Sequence, residues 1–171
     1  MYAIDPTTGL VSAVPNSPFP VVSIGTTTSS GTVVALELFV SPSGKYLYLY
    51  YVGTPFVDGP SVQNLYTFAV DSSTGNLTQS TASPFVVPGV SSPHLMFSPS
   101  GNLLYVPQRF VDNSGNVTTD IGVFKVNPTN GSIGANAVSS VSTPYSTFYP
   151  DPSGKVLLIG PGGSNYQTFW S

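Results

Sequence analysis

Phe39-Val40-Ser41-Pro42-Ser43-Gly44-Lys45-Tyr46-Leu47-Tyr48 is a stretch that the chain repeats twice more. It returns as Met96-Phe97-Ser98-Pro99-Ser100-Gly101-Asn102-Leu103-Leu104-Tyr105 and as Tyr149-Pro150-Asp151-Pro152-Ser153-Gly154-Lys155-Val156-Leu157-Leu158. Each copy reads as a strand, a tight turn and a second strand. Proline presets φ at the first turn position, and glycine supplies the positive φ needed before the chain reverses. The prolines stand at 42, 99 and 152, a period of 57 and then 53 residues. Self-similarity at such a period is the mark of stacked supersecondary units.

A second phrase alternates with the first. It reads Tyr2-Ala3-Ile4-Asp5-Pro6-Thr7-Thr8-Gly9, then Phe68-Ala69-Val70-Asp71-Ser72-Ser73-Thr74-Gly75, then Phe124-Lys125-Val126-Asn127-Pro128-Thr129-Asn130-Gly131. An alternating strand runs into an Asx-type turn closed by glycine, and another strand leaves it. The flanks echo too, in Asn16-Ser17-Pro18-Phe19 and Ala82-Ser83-Pro84-Phe85.

One unit therefore holds four strands, A to D. In the first full unit A is Val34–Val40, B is Tyr46–Val52, C is Val62–Val70 after a Gly/Pro loop at 53–60, and D starts at Asn76. In the second, A is His94–Phe97, B is Leu103–Gln108, C is Thr119–Val126 and D is Ser132–Ala137. Strand B of the first unit, Tyr46-Leu47-Tyr48-Leu49-Tyr50-Tyr51, is apolar on both faces, so a neighbouring sheet must lie above and below it. Four-stranded antiparallel sheets stacked on like sheets are the blades of a β-propeller. The expected fold is all-β, a partial β-propeller of two complete blades and two half-blades. The blade boundaries fall at 1–31 (strands C and D), 32–90, 91–143 and 144–171 (strands A, B and a part of C at Asn165–Trp170).

The Pro-Ser-Gly-Lys-Tyr-Leu-Tyr and Phe-Ala-Val-Asp-Ser-Ser-Thr-Gly phrases resemble those of the lactonase-like seven-bladed β-propellers, which share their YVTN-type repeat with surface-protein propellers. The resemblance covers nearly the whole chain and is carried by scaffold turns. It implies seven blades in the family, against fewer than half that number here. Two readings follow. The chain is a piece of a longer propeller that supplies the missing blades, or its orphan C–D and A–B pairs meet in a homodimer that closes a six-bladed ring.

Composition narrows the function. Among 171 residues there are four Lys and Arg, seven Asp and Glu, one His and no Cys, for a net charge of −3. Typical domains carry about a quarter charged residues; this surface must be covered by Ser, Thr, Asn, Gly and Tyr. That composition suits an extracytoplasmic setting, periplasmic or secreted. Without a basic cluster the chain has no electrostatic footprint for nucleic acid, and no apolar run reaches the ~18 residues of a membrane span. A lone His and no Cys exclude multi-His and thiolate metal sites, and Asp58, Asp112 and Asp120 lack calcium-loop spacing. No nucleophile elbow, phosphate loop or other cofactor motif occurs. The sequons at Asn76, Asn116 and Asn130 are accounted for by the abundance of Asn and Thr.

Counting back five residues from each turn proline reaches Glu37, His94 and Thr147. Strand A is the innermost strand of a blade, and its start lies toward the face where propeller enzymes bind ligands. The only Glu and the only His thus hold equivalent places in adjacent blades, as a candidate acid–base pair or as a satisfied polar pair in a wet channel. Lactonases of the resembled family carry a His-rich phrase before strand A and an acidic Leu-Gly phrase after strand B. Ser92-Pro93-His94 matches the first in part. After strand B this chain reads Val106-Pro107-Gln108-Arg109-Phe110-Val111-Asp112, without the acidic phrase. Arg109 is either an anion clamp at the same mouth or a solvated loop residue. The resulting expectation is a scaffold or ligand-binding surface module, taking a small sugar lactone or carbohydrate. The alternative is a lactone hydrolase of the 6-phosphogluconolactonase type with His94, Glu37 and Arg109 at its centre.

Overall fold

The computed structural model describes residues 2–5, 7–14, 33–53, 62–87, 94–111, 114–145 and 147–160. Among them the chain is all strand and turn. The strands are β1 (Tyr2–Ile4), β2 (Val11–Ala13), β3 (Val33–Val40), β4 (Tyr46–Gly53), β5 (Val62–Val70), β6 (Leu77–Gln79), β7 (Phe85–Val86), β8 (Met96–Phe97), β9 (Leu103–Val111), β10 (Val117–Lys125), β11 (Ser139–Ser142), β12 (Thr147–Pro150) and β13 (Leu157–Gly160). They form four antiparallel sheets: β1-β2, β3-β4-β5-β6 with β7 also on β5, β11-β10-β9-β8, and β12-β13. This is the order of a half-blade, two blades and a half-blade in an all-β partial propeller. The expected strand at Asn165–Trp170 and the phrase Asn16-Ser17-Pro18-Phe19 lie outside the described residues.

Two compact units are present, Met1–Val87 with Asn127–Ser132, and Pro88–Val126 with Ile133–Ser171. In the first, Tyr46, Tyr48 and Tyr50 alternate with Leu47 and Leu49 along β4, so both faces of the sheet are apolar. Leu49 packs with Tyr66 and Phe68 on one face. On the other face the fully buried Tyr48 donates its hydroxyl to the carbonyl of Gly131 at 2.9 Å, and Tyr46 donates to that of Pro128 at 3.3 Å. Burial, and then the neighbouring Tyr46, hold the Tyr48 hydroxyl well above its ordinary pKa, so it stays a neutral donor. In the second unit Tyr105, Ile121 and Phe148 form the core, with Met96, Leu103, Val123, Leu157 and Ile159 around them.

The turns do what their residues dictate. Residues Ser41, Ser98 and Asp151 precede the three prolines, and each accepts a backbone N–H five residues on: Tyr46 at 3.1 Å, Leu103 at 3.2 Å and Val156 at 2.7 Å. In the second turn type, Gly9, Gly75 and Gly131 all adopt φ of +72°. Asp5 accepts from the backbone of Thr7 and Thr8, and Asp71 accepts from the backbone of Ser73 and Thr74 and from the Ser73 hydroxyl. Asn127 makes the uncharged version, accepting from Thr129 at 2.8 Å.

Two strands depart from the sequence expectation. The outer strand does not run straight through Ser132–Ala137; only Ile133 bridges there, to Val126, and regular pairing resumes at β11. Val126 opposes Ile133 and Val123 opposes Ser139, so three residues of the inner neighbour are matched by six. The first blade jogs by the same amount: Val70 opposes Leu77 and Leu65 opposes Phe85, five residues matched by eight. Gly134-Ala135-Asn136-Ala137 supplies no β-branched residue to hold a regular strand. In the first blade the gap is filled by the Ser83 hydroxyl, which accepts the Thr67 N–H at 3.0 Å. The second departure is β8, cut from His94–Phe97 to two residues. Continuing its register past Met96↔Tyr105 would set Pro107 opposite His94, where a backbone N–H is required. Proline has none.

Two predictions follow from the turns. A Cβ on Gly131 would lie 2.7 Å from the Tyr46 ring and 3.0 Å from Thr67 Cγ2, whereas one on Gly44 would meet nothing within 4 Å. Gly131→Ala is expected to cost about 2–4 kcal/mol and Gly44→Ala only the backbone cost of about 1–2 kcal/mol, read by chemical denaturation. Hydrogen bonds from Ser73 and Thr74 pull the Asp71 carboxyl down to about 2. A carboxyl held low in the folded chain stabilises it above the unfolded value of about 4, and this is lost as pH falls through the folded value. Asp71→Asn should therefore flatten the acid limb of the stability–pH curve, though Asp5 and Asp151, also held low by their turns, keep some slope.

Candidate functional site

The start of strand A is set by the hairpin register, and the register is set by the Pro-Ser-Gly turn. On β3, Glu37 opposes Tyr50. On β12, Thr147 opposes Gly160. His94 precedes β8 at the equivalent pair, opposite Pro107 if the ladder is continued. The three residues thus occupy one register position in three sheets.

Glu37 belongs to the first unit. It is half-buried and shares its face of the sheet with Tyr46, Tyr48 and Tyr50. Tyr50 is almost wholly buried, and burial first, then the charge of Glu37, push its hydroxyl up to about 12. A neutral phenol therefore stands across the ladder from the carboxylate.

His94 and Arg109 belong to the second unit. The His94 ring is half-buried, with Nε2 inside, and meets Phe148 and Tyr149 edge-on, both at 5.6 Å between centroids and at 72° and 73°. Phe148 in turn meets Tyr105 edge-on at 6.2 Å. Aromatic rings prefer this geometry because the positive edge of one faces the π-cloud of the other. Arg109 stands exposed near the end of β9, opposite Thr119. Strand alternation puts it on the face that carries Tyr105 and Pro107. Asp120 accepts from Ser142 Oγ at 2.5 Å, and Asp151 accepts from Ser153 and Val156 within its own turn. Ser92, Pro93 and Asp112 lie outside the described residues.

The sequence reading passed over Gln108. It is the buried polar side chain at this end of β9, only 5 % exposed, while its neighbour Arg109 is in solvent. Gly122 makes the room for it: a Cβ there would lie 2.3 Å from Gln108 Oε1. The signal in the sequence is that glycine, which interrupts an otherwise β-forming run at Thr119–Val126.

Among the described residues no three His, Cys, Asp or Glu come together as a metal site, and no helix is long and apolar enough to cross a membrane. The family model for the lactonase, 7-bladed beta-propeller, matches residues 2–158. No curated protein and no solved structure gives a significant match.

The packing separates His94 from Arg109. His94→Ala removes two edge-on ring contacts and should cost about 1–3 kcal/mol. Arg109→Ala, at an exposed position, should stay within about 0.5 kcal/mol. Paired denaturation curves check both.

Proposed function

The chain belongs to the lactonase family of seven-bladed β-propellers, and from that premise we propose that it works as a ligand-binding or scaffold module of propeller blades rather than as a hydrolase. The observation that carries this reading is the setting of His94. A general base needs its proton acceptor open to substrate. The His94 ring instead has Nε2 inside and is packed edge-on against Phe148 and Tyr149. The half-buried Glu37 offers a polar group that suits hydroxyl-rich ligands, so the ligand class is a sugar lactone or a related carbohydrate. The sparse charge of the chain suits an extracytoplasmic location.

Family membership favours a second reading, lactone hydrolysis with His94 as base, Glu37 as its partner and Arg109 holding the anion. One assay separates the two. The purified chain is given a six-carbon sugar lactone and acid release is followed against buffer, while binding of the same lactone is followed by calorimetry. The expected result is no turnover above buffer, with any binding unaffected by Arg109→Ala. Turnover that vanishes in His94→Ala, a protein with no second His to replace it, would establish the hydrolase and retire the module reading.

A further inference from the structure

The exposed apolar side chains of β3 and of β13 are the two halves of one packing pattern. In the second unit the β12-β13 sheet turns Phe148, Leu157 and Ile159 onto Met96, Leu103 and Tyr105 of the four-stranded sheet, and Phe148 is fully buried there. Counted from the turn prolines, Phe148, Leu157 and Ile159 correspond to Leu38, Leu47 and Leu49 of the first blade. Met96, Leu103 and Tyr105 correspond to Tyr149, Val156 and Leu158 of the last half-blade. Leu38 and Val40 are 64 % and 60 % exposed, and Val156 and Leu158 are 53 % and 55 % exposed. The inserting side thus leaves Leu38 and its strand neighbour Val40 uncovered, with Leu49 already buried against Tyr66 and Phe68, and the receiving side leaves Val156 and Leu158 uncovered.

We infer that these faces bind each other between two copies of the chain, head to tail, the Leu38–Val40 face of one copy seating on the Tyr149–Val156–Leu158 face of the next. The second copy is the occupant because the chain already makes this contact once with itself, using side chains at the same repeat positions. The strand edges agree. Among the described residues β13 pairs only with β12, and β1 only with β2. In both complete sheets the fourth residue after the turn proline opposes the residue two before the Asx-turn residue, as Tyr46↔Ala69 and Leu103↔Lys125. The same rule sets Val156 of one copy opposite Ala3 of the next, and Leu157 opposite Tyr2. The docking that stacks the faces therefore also joins an A–B pair to a C–D pair in a single sheet, and exposed strand edges are templates for such pairing. The contact is heterologous, so its smallest closed form is a dimer that makes it twice.

The test is gel filtration with light scattering at micromolar concentration. The native chain is expected at twice its monomer mass. Leu38→Asp and Leu158→Asp, both at exposed positions, should each run as monomers with unchanged far-ultraviolet circular dichroism. Equal amounts of the two variants should recover a dimer. In the mixture the intact first face of Leu158→Asp meets the intact second face of Leu38→Asp, restoring one contact of the two. If either variant loses its circular dichroism, Val40→Asp and Val156→Asp replace the pair. A monomeric native chain overturns the inference and assigns the faces to further blades of the same polypeptide. Association that survives either substitution alone, or that mixing does not restore, overturns it equally.

Discussion

Tyr48 and Leu49 are neighbours on one strand, point to opposite faces of the sheet, and are both buried. The same holds for Leu104, Tyr105 and Val106 on β9. A sheet built this way cannot border water on either face, because each fully buried large side chain represents about 1.5–3 kcal/mol of transfer free energy that solvent would withdraw. The two complete sheets therefore each need a cover on both sides, and stacking follows as a requirement of their strand sequences. Tyrosine adds a directional condition, since its hydroxyl must find an acceptor once the ring is inside. Tyr48 finds the carbonyl of Gly131, and at the same glycine the Tyr46 ring and Thr67 leave no room for a side chain.

Charge is sparse in this chain, and three of its aspartates sit in turns. Asp5, Asp71 and Asp151 accept hydrogen bonds from backbone N–H groups, and the last two also from serine hydroxyls, within a few residues, and each is held more acidic than an ordinary carboxyl. Carboxylates used this way stabilise local chain reversals. Asn127 doing the same work without a charge shows that the acceptor geometry is what the turn requires.

The turns are legible in the sequence because their chemistry is local. Proline, the preceding Ser or Asp, and the glycine that follows lie within four residues, and the observed strands β4 and β9 begin where those signals put them. The outer strand is not legible in the same way. Its three-residue jog depends on what the neighbouring strand offers, such as the Thr67 N–H taken by Ser83, and no short window of Ser132–Ala137 contains that information. The shortening of β8 is caused by Pro107, which lies on the next strand. The register of Glu37, His94 and Thr147 follows from counting back from the turn, but their surroundings do not. That Gln108 is buried while Arg109 is in water is decided by a vacancy at Gly122, across the ladder from Val106.

Scaffold and site are therefore specified by different residues. The hairpin register is fixed by the Pro-Ser-Gly turn and its preceding acceptor, whatever stands five residues before the proline. A half-buried glutamate, a histidine packed against aromatic rings and a half-buried threonine all occupy that position without altering the turn. A repeat under this division keeps its phrases and stacking while the inner position changes from blade to blade. Recognition of the family through its turns then speaks for the architecture and leaves the chemistry open, because the residues that would carry chemistry are the ones the architecture does not constrain.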